Sequence, residues 1–275
     1  MSNLQLRVLS SIAFVVLIIG PLFIGPRWAF TIYAILGWFT LREFNNLLVN
    51  SESKINSVGS SIIYFLLVVI VYEYSFQEVK YASSLTLLLG ATSLIMVIWE
   101  VFRKNTRPLS SIGISIFTPL YTASSFLGIA YFLGYRTDLI QPWIIISLFS
   151  LIWINDSAAY LFGRKIGKTK LIEHISPNKT WEGSISGLVV ALLTGFGLSL
   201  IEGMPPWPIM LGFAVVTVIG GSLGDLFESR IKRAANVKDS GKFLPGHGGF
   251  LDRFDAMMLA IPIAILYFEF ILPKS

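Results

Sequence analysis

The sequence has no cysteine, and only 13% of its 275 residues are charged. Without a thiol the chain can form no disulfide, no thiolate zinc site and no cysteine nucleophile. Soluble domains carry about 25% charged residues, whereas this chain is 54% hydrophobic and has a mean hydropathy of +0.72. The composition therefore predicts a polytopic membrane protein.

Further absences narrow the interpretation. The first apolar run follows MSNLQLRVLSS without a small-residue cleavage site, so we expect a first membrane span rather than a removed signal peptide. The pattern GxxxxGK followed by Ser or Thr is missing, which excludes a P-loop as the holder of any nucleotide. The stretches between the apolar runs are too short for a soluble domain.

Nine apolar stretches approach the roughly 20 residues that a membrane-spanning helix needs. We predict an all-α polytopic membrane protein with about nine transmembrane helices and a polar site near the cytoplasmic face. Residues 1–135 would supply N-terminal helices and residues 136–275 a catalytic core, or both would form one contiguous membrane domain. The predicted spans are 8–25, 28–48, 58–75, 81–102, 112–134, 140–163, 181–201, 207–228 and 250–272.

Basic residues are unevenly distributed over the loops between these spans. With nine spans, all but four of the 21 lysines and arginines lie on the side that holds the N-terminus; the exceptions are Arg27, Lys80, Arg136 and Lys274. Cytoplasmic loops carry such an excess, so the N-terminus is predicted to be cytoplasmic. The net charge of +5 is then a topology signal and not a sign of nucleic-acid binding.

Polar residues return at helical spacing where the eighth span ends, in GGSLGDLFESRIKR. Asp225, Glu228, Ser229 and Lys232 are spaced i, i+3, i+4 and i+7, which places them on one helix face. Glu228 and Arg230 fit the solvated end of an interfacial helix. Asp225 follows a long apolar run, and a carboxylate at that depth needs a partner, which a metal ion or Lys232 would provide.

The ninth span opens with two aspartates one helical turn apart, Asp252 and Asp255. Facing another acid-bearing helix end, they would form a hard-oxygen site of the kind that Mg²⁺ prefers. Gly248 and Gly249 precede the helix N-terminus, where backbone N–H groups suit an anion. His247 in the same loop fits a phosphate contact and a structural hydrogen bond equally well.

The sixth span carries Asn155 and Asp156 inside an apolar helix, with Tyr160 on the same face as Asp156. An acid within a membrane span is a candidate functional residue, and a packing hydrogen bond to a neighbouring helix is the alternative. Gly183-x-x-x-Gly187 further on matches a helix-packing pattern. Basic side chains that would suit a polyanion gather in the intervening loop: Arg164, Lys165, Lys168, Lys170 and Lys179.

Three stretches near the C-terminus together resemble the signature of the phosphatidate cytidylyltransferases, also called CDP-diacylglycerol synthases. They are SRIKR at 229–233, KDSG at 238–241 and LPGHGGFLDRFD at 244–255, and the chain shows no departure from that signature. The upstream blocks NDSAAYLFGRKIGK and SPNKTWEG resemble the same family. The likeness covers the C-terminal half, while the N-terminal half matches only as hydrophobic spans.

The resemblance implies an enzyme that makes CDP-diacylglycerol and pyrophosphate from CTP and phosphatidate with Mg²⁺. Asp225 and Asp252 would lie at the metal centre, with Asp156 and Asp255 as further ligands or orienting groups. A second cation, K⁺ or another Mg²⁺, is left open. Lys232 and His247 join the expected catalytic residues. The expected substrate contacts are Lys168, Lys179, Ser229, Arg233, Lys238, Lys242, Gly248, Gly249 and Arg253.

The implied partners are CTP, phosphatidate and membrane lipid, without nucleic acid. We expect a multi-pass protein of a bacterial inner membrane, and the sequence leaves open whether it is a homodimer. One competing function is a transporter that uses Asp156 and Asp225, which the gathering of acids at one membrane face disfavours. Another is the transfer of an alcohol onto CDP-diacylglycerol, but the DGxxAR pattern of that family is absent. Intact motifs disfavour a third alternative, an inactive scaffold.

Overall fold

The computed structural model describes residues 3–49, 55–76, 80–135, 142–241 and 248–272. Helices dominate these ranges, and two short strands, β1 (Lys170–Ile172) and β2 (Ser176–Thr180), interrupt them. The helices are α1 (Asn3–Ile19), α2 (Pro21–Ile24), α3 (Pro26–Val49), α4 (Ser57–Ser75), α5 (Ala82–Phe102), α6 (Pro108–Tyr135), α7 (Trp143–Ile166), α8 (Trp181–Leu198), α9 (Trp207–Ala234), α10 (Leu251–Phe254) and α11 (Met257–Ile271).

Helices occupy all nine positions predicted for membrane spans. Within the described residues, seven segments are long and apolar enough to cross a bilayer, namely α4 to α9 and the stretch Leu251–Ile271. They make the chain a multi-pass membrane protein. The count of nine is not confirmed, because α1 and α2 form a shorter apolar stretch and α3 carries Arg42 and Glu43 near its end.

Two local features depart from the predicted all-α pattern. Between α7 and α8, the strands β1 and β2 pair in antiparallel fashion, with Lys170 opposite Thr180. The ninth predicted helix is broken, since α10 ends at Phe254 and α11 begins at Met257. In the break, the Asp255 carboxylate accepts a hydrogen bond from the N–H of Ala256 at 2.6 Å, a local bond that competes with helix formation. The prediction that Asp252 and Asp255 share one continuous helix is therefore wrong.

The chain divides into two compact units. The first unit comprises Met1–Tyr135 and Ala234–Arg253, and the second comprises Arg136–Arg233 and Phe254–Ser275. A compact unit need not be a domain that folds independently. The predicted division into residues 1–135 and 136–275 accordingly stays a prediction.

A buried hydroxyl seam joins α3, α4 and α6 in the first unit. Pro119 lies inside α6 and has no N–H, so the carbonyl of Ser115 has lost its helical partner. The hydroxyl of Ser60 donates to that carbonyl at 2.9 Å and lies 3.0 Å from the hydroxyl of Thr118. Thr118 in turn donates to the Asn45 side chain at 2.8 Å. Backbone and side-chain polar groups in an apolar setting need such internal partners, and these bonds hold the three helices together.

Glycines allow α7 and α8 to approach closely in the second unit. A Cβ atom at Gly183 would lie 2.6 Å from the carbonyl oxygen of Ala159, and one at Gly187 would lie 2.6 Å from Oδ1 of Asn155. Any larger residue would therefore push the helices apart. The predicted packing role of Gly183-x-x-x-Gly187 is confirmed.

Candidate active site

Close packing of α9 against α11 sets the position of the acids in the second unit. A Cβ atom at Gly220 would lie 2.8 Å from Cα of Ala260, and one at Gly224 would collide with the carbonyl oxygen of Asp255. Small residues at these positions let the two backbones meet. The end of α9 that carries Asp225 therefore lies beside the turn that carries Asp255.

The acid cluster consists of Asp225, Glu228 and Asp255, whose carboxylates each offer one oxygen within 4.8 Å of the others. Glu228 is only 3% exposed, so its interpretation as a solvated charge is wrong, whereas Arg230 is exposed as expected. Like charges at this spacing repel each other and require cations nearby.

Two lysines supply part of that positive charge. The Nζ of Lys179 lies 2.5 Å from Oδ2 of Asp225, and the Nζ of Lys232 lies 2.7 Å from Oε2 of Glu228. Lys232 thus pairs with Glu228, one helical turn away, and Lys179 of β2 pairs with Asp225. The hydroxyl of Ser229 also donates to Asp225, at 3.2 Å, which confirms that these groups share one face of α9.

A cavity of about 490 Å³ opens beside Asp225 within the second unit. Binding sites for small molecules typically enclose about 300–1,000 Å³. Asp156 and Tyr160 both line the cavity, in keeping with their predicted common face. The full lining is Asn155, Asp156, Ala159, Tyr160, Gly163, Arg164, Leu171, Asn178, Lys179, Thr180, Ser184, Ser222 and Asp225.

A second cavity, of about 380 Å³, lies in the first unit. Its walls are almost wholly aromatic and aliphatic, with side chains such as Trp38 and Phe65. Such a lining offers little to a charged substrate, so the cavity of the second unit is the better candidate for the chemistry.

The hairpin that carries Lys179 is anchored to the start of α8. The hydroxyl of Thr180 caps α8 by accepting the N–H of Gly183 at 3.2 Å. The Glu182 carboxylate accepts the N–H groups of Lys168 and Thr169, each at 3.1 Å. These bonds assign Glu182 to the support of the hairpin, which in turn holds Lys179 at the cavity wall.

The donor set of the second unit fits a hard divalent cation. Asp156 lines the same cavity as Asp225, so it adds a fourth carboxylate beside the acid cluster. When they are ionised, the four carboxylates outnumber the two ammonium groups of Lys179 and Lys232 and leave an excess of negative charge. One divalent cation would balance that excess, and carboxylate oxygens are the ligands that Mg²⁺ and Ca²⁺ prefer.

Asp252 belongs to the first unit, where its carboxylate holds the backbone of the signature. Its Oδ2 accepts the N–H groups of Ser240 at 2.9 Å and of Gly249 at 2.8 Å. Gly248 has a φ of 83°, which favours glycine, and a Cβ atom there would lie 2.7 Å from Asp252 Oδ2. The roles of Gly248 and Gly249 in substrate binding, and a cation shared by Asp252 and Asp225, stay predictions.

The other predicted substrate contacts differ in exposure. Lys168, Arg233 and Lys238 are exposed, and Arg253 is half-buried. His247 and Lys242 lie outside the described residues. Substrate binding by all of these residues remains a prediction.

Sequence reasoning missed Glu43 in α3. Its carboxylate accepts the N–H groups of Phe250 at 2.9 Å and Leu251 at 3.1 Å, inside the signature. The signal available in the sequence was an acid within the predicted span 28–48, although nothing in the sequence indicated its partners.

Comparison with known proteins extends the likeness to nearly the whole chain. The Cytidylyltransferase family matches residues 5–271. A phosphatidate cytidylyltransferase of Bacillus subtilis (strain 168) is 38% identical over 198 residues, which are 71% of each chain. Those of Staphylococcus aureus (strain COL) and Staphylococcus haemolyticus (strain JCSC1435) are 32% identical over 266 and 263 residues, covering 94% of this chain and 97% of theirs. The family predicted from the C-terminal signature is confirmed, and the chain is an enzyme of the cytidylyltransferase family.

Proposed function

We propose that the protein transfers the cytidylyl group of CTP to phosphatidate, giving CDP-diacylglycerol and pyrophosphate. The observation that carries the proposal is the cavity of the second unit, where Arg164 and Lys179 stand together with Asp156 and Asp225. The names of the relatives support the same reaction. The reaction would be the first step of phospholipid synthesis through CDP-diacylglycerol.

The proposed reaction exchanges one phosphorus–oxygen bond for another. An oxygen of the phosphatidate phosphate bonds to the α-phosphorus of CTP, while the bond from that phosphorus to the oxygen bridging the β-phosphorus breaks. The electron pair of that bond leaves with pyrophosphate. The attacking phosphate is already an anion, so no strong general base is needed. The barrier comes mainly from bringing two anions together and from the charge that spreads as the leaving group departs.

The basic residues of the cavity are suited to lower that barrier. The guanidinium of Arg164 can form paired hydrogen bonds to phosphate oxygens, and Lys179 is held at the cavity wall by its contact with Asp225. We propose that Asp225, Glu228 and Asp255 hold Mg²⁺, with Asp156 as a further ligand or orienting group. The role of Asp252 at the reacting phosphates, which its place in the signature implies, belongs to the same proposal. When bound, Mg²⁺ supplies positive charge to the phosphate oxygens. A second cation, K⁺ or Mg²⁺, belongs to the same proposal.

Purified protein in lipid nanodiscs tests the function directly. CTP labelled at the α-phosphorus, phosphatidate and Mg²⁺ should yield a labelled lipid and unlabelled pyrophosphate. Diacylglycerol in place of phosphatidate lacks the attacking phosphate and should give no labelled lipid. The proposal is wrong if no labelled lipid forms with phosphatidate under any divalent cation.

One proposed substrate is dissolved in water and the other lies in the membrane, and this difference indicates how the protein is oriented in the bilayer. CTP is dissolved in the cytoplasm, and the tails of phosphatidate lie in the bilayer. We therefore propose a bacterial inner-membrane protein with a cytoplasmic N-terminus that takes phosphatidate laterally from the inner leaflet.

The lack of cysteine makes this orientation easy to test, because an introduced thiol reports without background. Lys104 and Glu202 are both exposed and lie in loops predicted to be on opposite sides. A membrane-impermeant maleimide added outside the sealed inner membrane should label Glu202→Cys and leave Lys104→Cys unlabelled. The reverse result would overturn the orientation.

A further inference from the structure

We propose that Glu43 is a positioning residue for Asp252, which it orients by fixing the signature loop. The signature loop here means the described residues 240–241 and 248–252. The inference deepens the proposed function, on which its kinetic test rests. Glu43 lies in α3, and it contacts the loop within the first unit.

The Glu43 carboxylate accepts three donors from the signature loop. Its Oε2 accepts the N–H of Phe250 at 2.9 Å, and its Oε1 accepts the N–H of Leu251 at 3.1 Å. Oε1 also accepts the hydroxyl of Ser240. Phe250 lies 207 residues further along the chain, so this contact is a product of the tertiary fold and not of local sequence.

Two glycines enclose the same carboxylate. A Cβ atom at Gly241 would lie 2.8 Å from Cδ of Glu43. A Cβ atom at Gly249 would collide with Oε1 of Glu43 and would lie 2.5 Å from the hydroxyl oxygen of Ser240. The loop therefore needs glycine at both positions to make room for the Glu43 carboxylate. The backbone at Gly241 and at Gly249 lies directly against this carboxylate and restricts its orientation.

Ser240 links Glu43 to Asp252. While its hydroxyl donates to Glu43, that hydroxyl accepts the N–H of Asp252 at 3.3 Å, and the N–H of Ser240 donates to Asp252 Oδ2 at 2.9 Å. The Gly249 N–H donates to the same oxygen at 2.8 Å. The N–H groups of three successive residues, 249 to 251, thus all donate to the carboxylates of Asp252 and Glu43, and Ser240 is hydrogen-bonded to both carboxylates.

Two carboxylates in one loop repel each other, which raises the free energy of the folded loop. Neutral acceptors would satisfy the same donors without that cost, so hydrogen bonding alone does not explain the two carboxylates. What the arrangement does achieve is a fixed Asp252 side chain. Partners that orient a metal-binding carboxylate typically change metal affinity or activity about 10- to 100-fold when they are lost. Glu43 has the contacts of such a partner.

The first test is hydrogen exchange of the purified protein without metal or substrate. Glu43→Gln keeps the size of the side chain but turns an NH₂ group toward one of the donors. Amides at 249–251 should exchange faster in this variant, and amides of α8 should not change. This measurement does not depend on enzymatic activity.

The second test is kinetic. Glu43→Gln should lower kcat by about 10- to 100-fold while the KM for CTP changes much less, because the loop is proposed to orient a reacting-site carboxylate. Ser240→Ala should show the same pattern with a smaller effect. The double variant should be no slower than Glu43→Gln, since the two residues act through one link.

Glu73 offers a matched control. It is a buried glutamate of α4, 7% exposed, that accepts a backbone N–H from Tyr81 at 2.9 Å. Glu73→Gln should leave both the exchange of the signature loop and kcat as they are in the wild type. Glu43 itself is half-buried, so an equal loss of kcat in this control would show a general effect of neutralising a glutamate that accepts backbone N–H groups and would overturn the proposal.

The remaining outcomes also decide the matter. Unchanged exchange at 249–251 in Glu43→Gln would refute the fixing of the loop. Faster exchange with a wild-type kcat would make Glu43 purely structural. If Glu43→Gln does not fold, Ser240→Ala decides by the same two criteria. If the wild type makes no CDP-diacylglycerol, the proposed function fails, and binding of Mn²⁺ then replaces kcat: an unchanged Mn²⁺ affinity in the variant would overturn the role of Glu43.

Discussion

The hydroxyl seam of the first unit and the acid cluster of the second unit bury polar groups in opposite ways. In the seam, Ser60 and Thr118 are fully buried, neutral and bonded to neighbouring helices. In the cluster, Glu228 is also buried, at 3% exposed, yet it is an acid that contacts the Lys232 ammonium and lies among other carboxylates. The seam satisfies the hydrogen-bonding groups of the helices, whereas the carboxylates of the cluster repel one another and require nearby cations.

The free energies involved separate the two regions. Hydrogen bonds between membrane helices contribute about 0.6 kcal/mol on average, so a seam of this kind stabilises packing modestly and tolerates change. Removing one partner of a buried ion pair costs about 3–5 kcal/mol. Helix packing alone does not account for such an arrangement, and the difference supports the proposal that the acid cluster takes part in catalysis.

The largest expected effect is the loss of catalysis in Asp225→Asn. Removing one charge from the acid cluster should cost about 4 kcal/mol of transition-state stabilisation, on the order of a thousand-fold in kcat. Folding should be retained, because the Lys179 side chain is 29% exposed and water can solvate it. The nanodisc assay measures the rate, and gel filtration measures folding.

Glu202→Gln is the control for this variant, since Glu202 is an exposed acid after α8. It should keep the wild-type rate. Full activity in Asp225→Asn would show that catalysis does not depend on the charge of Asp225. The acid cluster would then differ from the hydroxyl seam in composition only.

The next effect is on stability, in Glu228→Gln. This change removes the negative charge 2.7 Å from the Lys232 ammonium, whose side chain is 13% exposed, and breaking such a buried ion pair should lower the free energy of unfolding by about 3–5 kcal/mol. Glu228→Gln with Lys232→Met removes both charges and should recover most of that loss. Equilibrium unfolding in a denaturing detergent with EDTA present measures both variants.

The double variant should nevertheless remain impaired in catalysis, because the acid cluster would hold one carboxylate fewer. If Glu228→Gln were as stable as the wild type, the ion pair between Glu228 and Lys232 would contribute nothing to stability. A fully active double variant would show that Glu228 is structural only.

The smallest effect is expected in the hydroxyl seam. Ser60→Ala removes the donor to the Ser115 carbonyl and should lower the free energy of unfolding by about 1 kcal/mol, with kcat unchanged. Replacing Pro119 by Ala restores a backbone N–H to that carbonyl, so Ser60→Ala should cost less in a Pro119→Ala background. Equal costs in both backgrounds would show that the serine does not compensate for the proline.

Apolar runs predicted the helices because burial in lipid forces the backbone to satisfy itself within each segment. The spacing of Asp225, Glu228 and Lys232 likewise predicted their common face, since i, i+3 and i+4 neighbours meet on any helix. These are local properties, and the structure agrees with them over α4 to α9.

Tertiary contacts account for what the sequence could not predict. The burial of Glu228 depends on how α9 packs against α11, and the bonds of Glu43 depend on a loop some 200 residues away. The break at Asp255 arises from a side-chain bond to the next N–H that an apolar pattern does not reveal. The strands β1 and β2 are too short to show a periodicity.

The glycines between α7 and α8 have a consequence for turnover. At Gly183 and Gly187 the backbone of α8 lies against α7 with no room for a side chain. The cavity wall that α7 and α8 form should therefore be set during folding, so that the protein would lose little conformational freedom when a substrate binds. Under the proposed function, in which CTP enters and pyrophosphate leaves at each turnover, rim side chains such as Arg164 would be the groups that reorder.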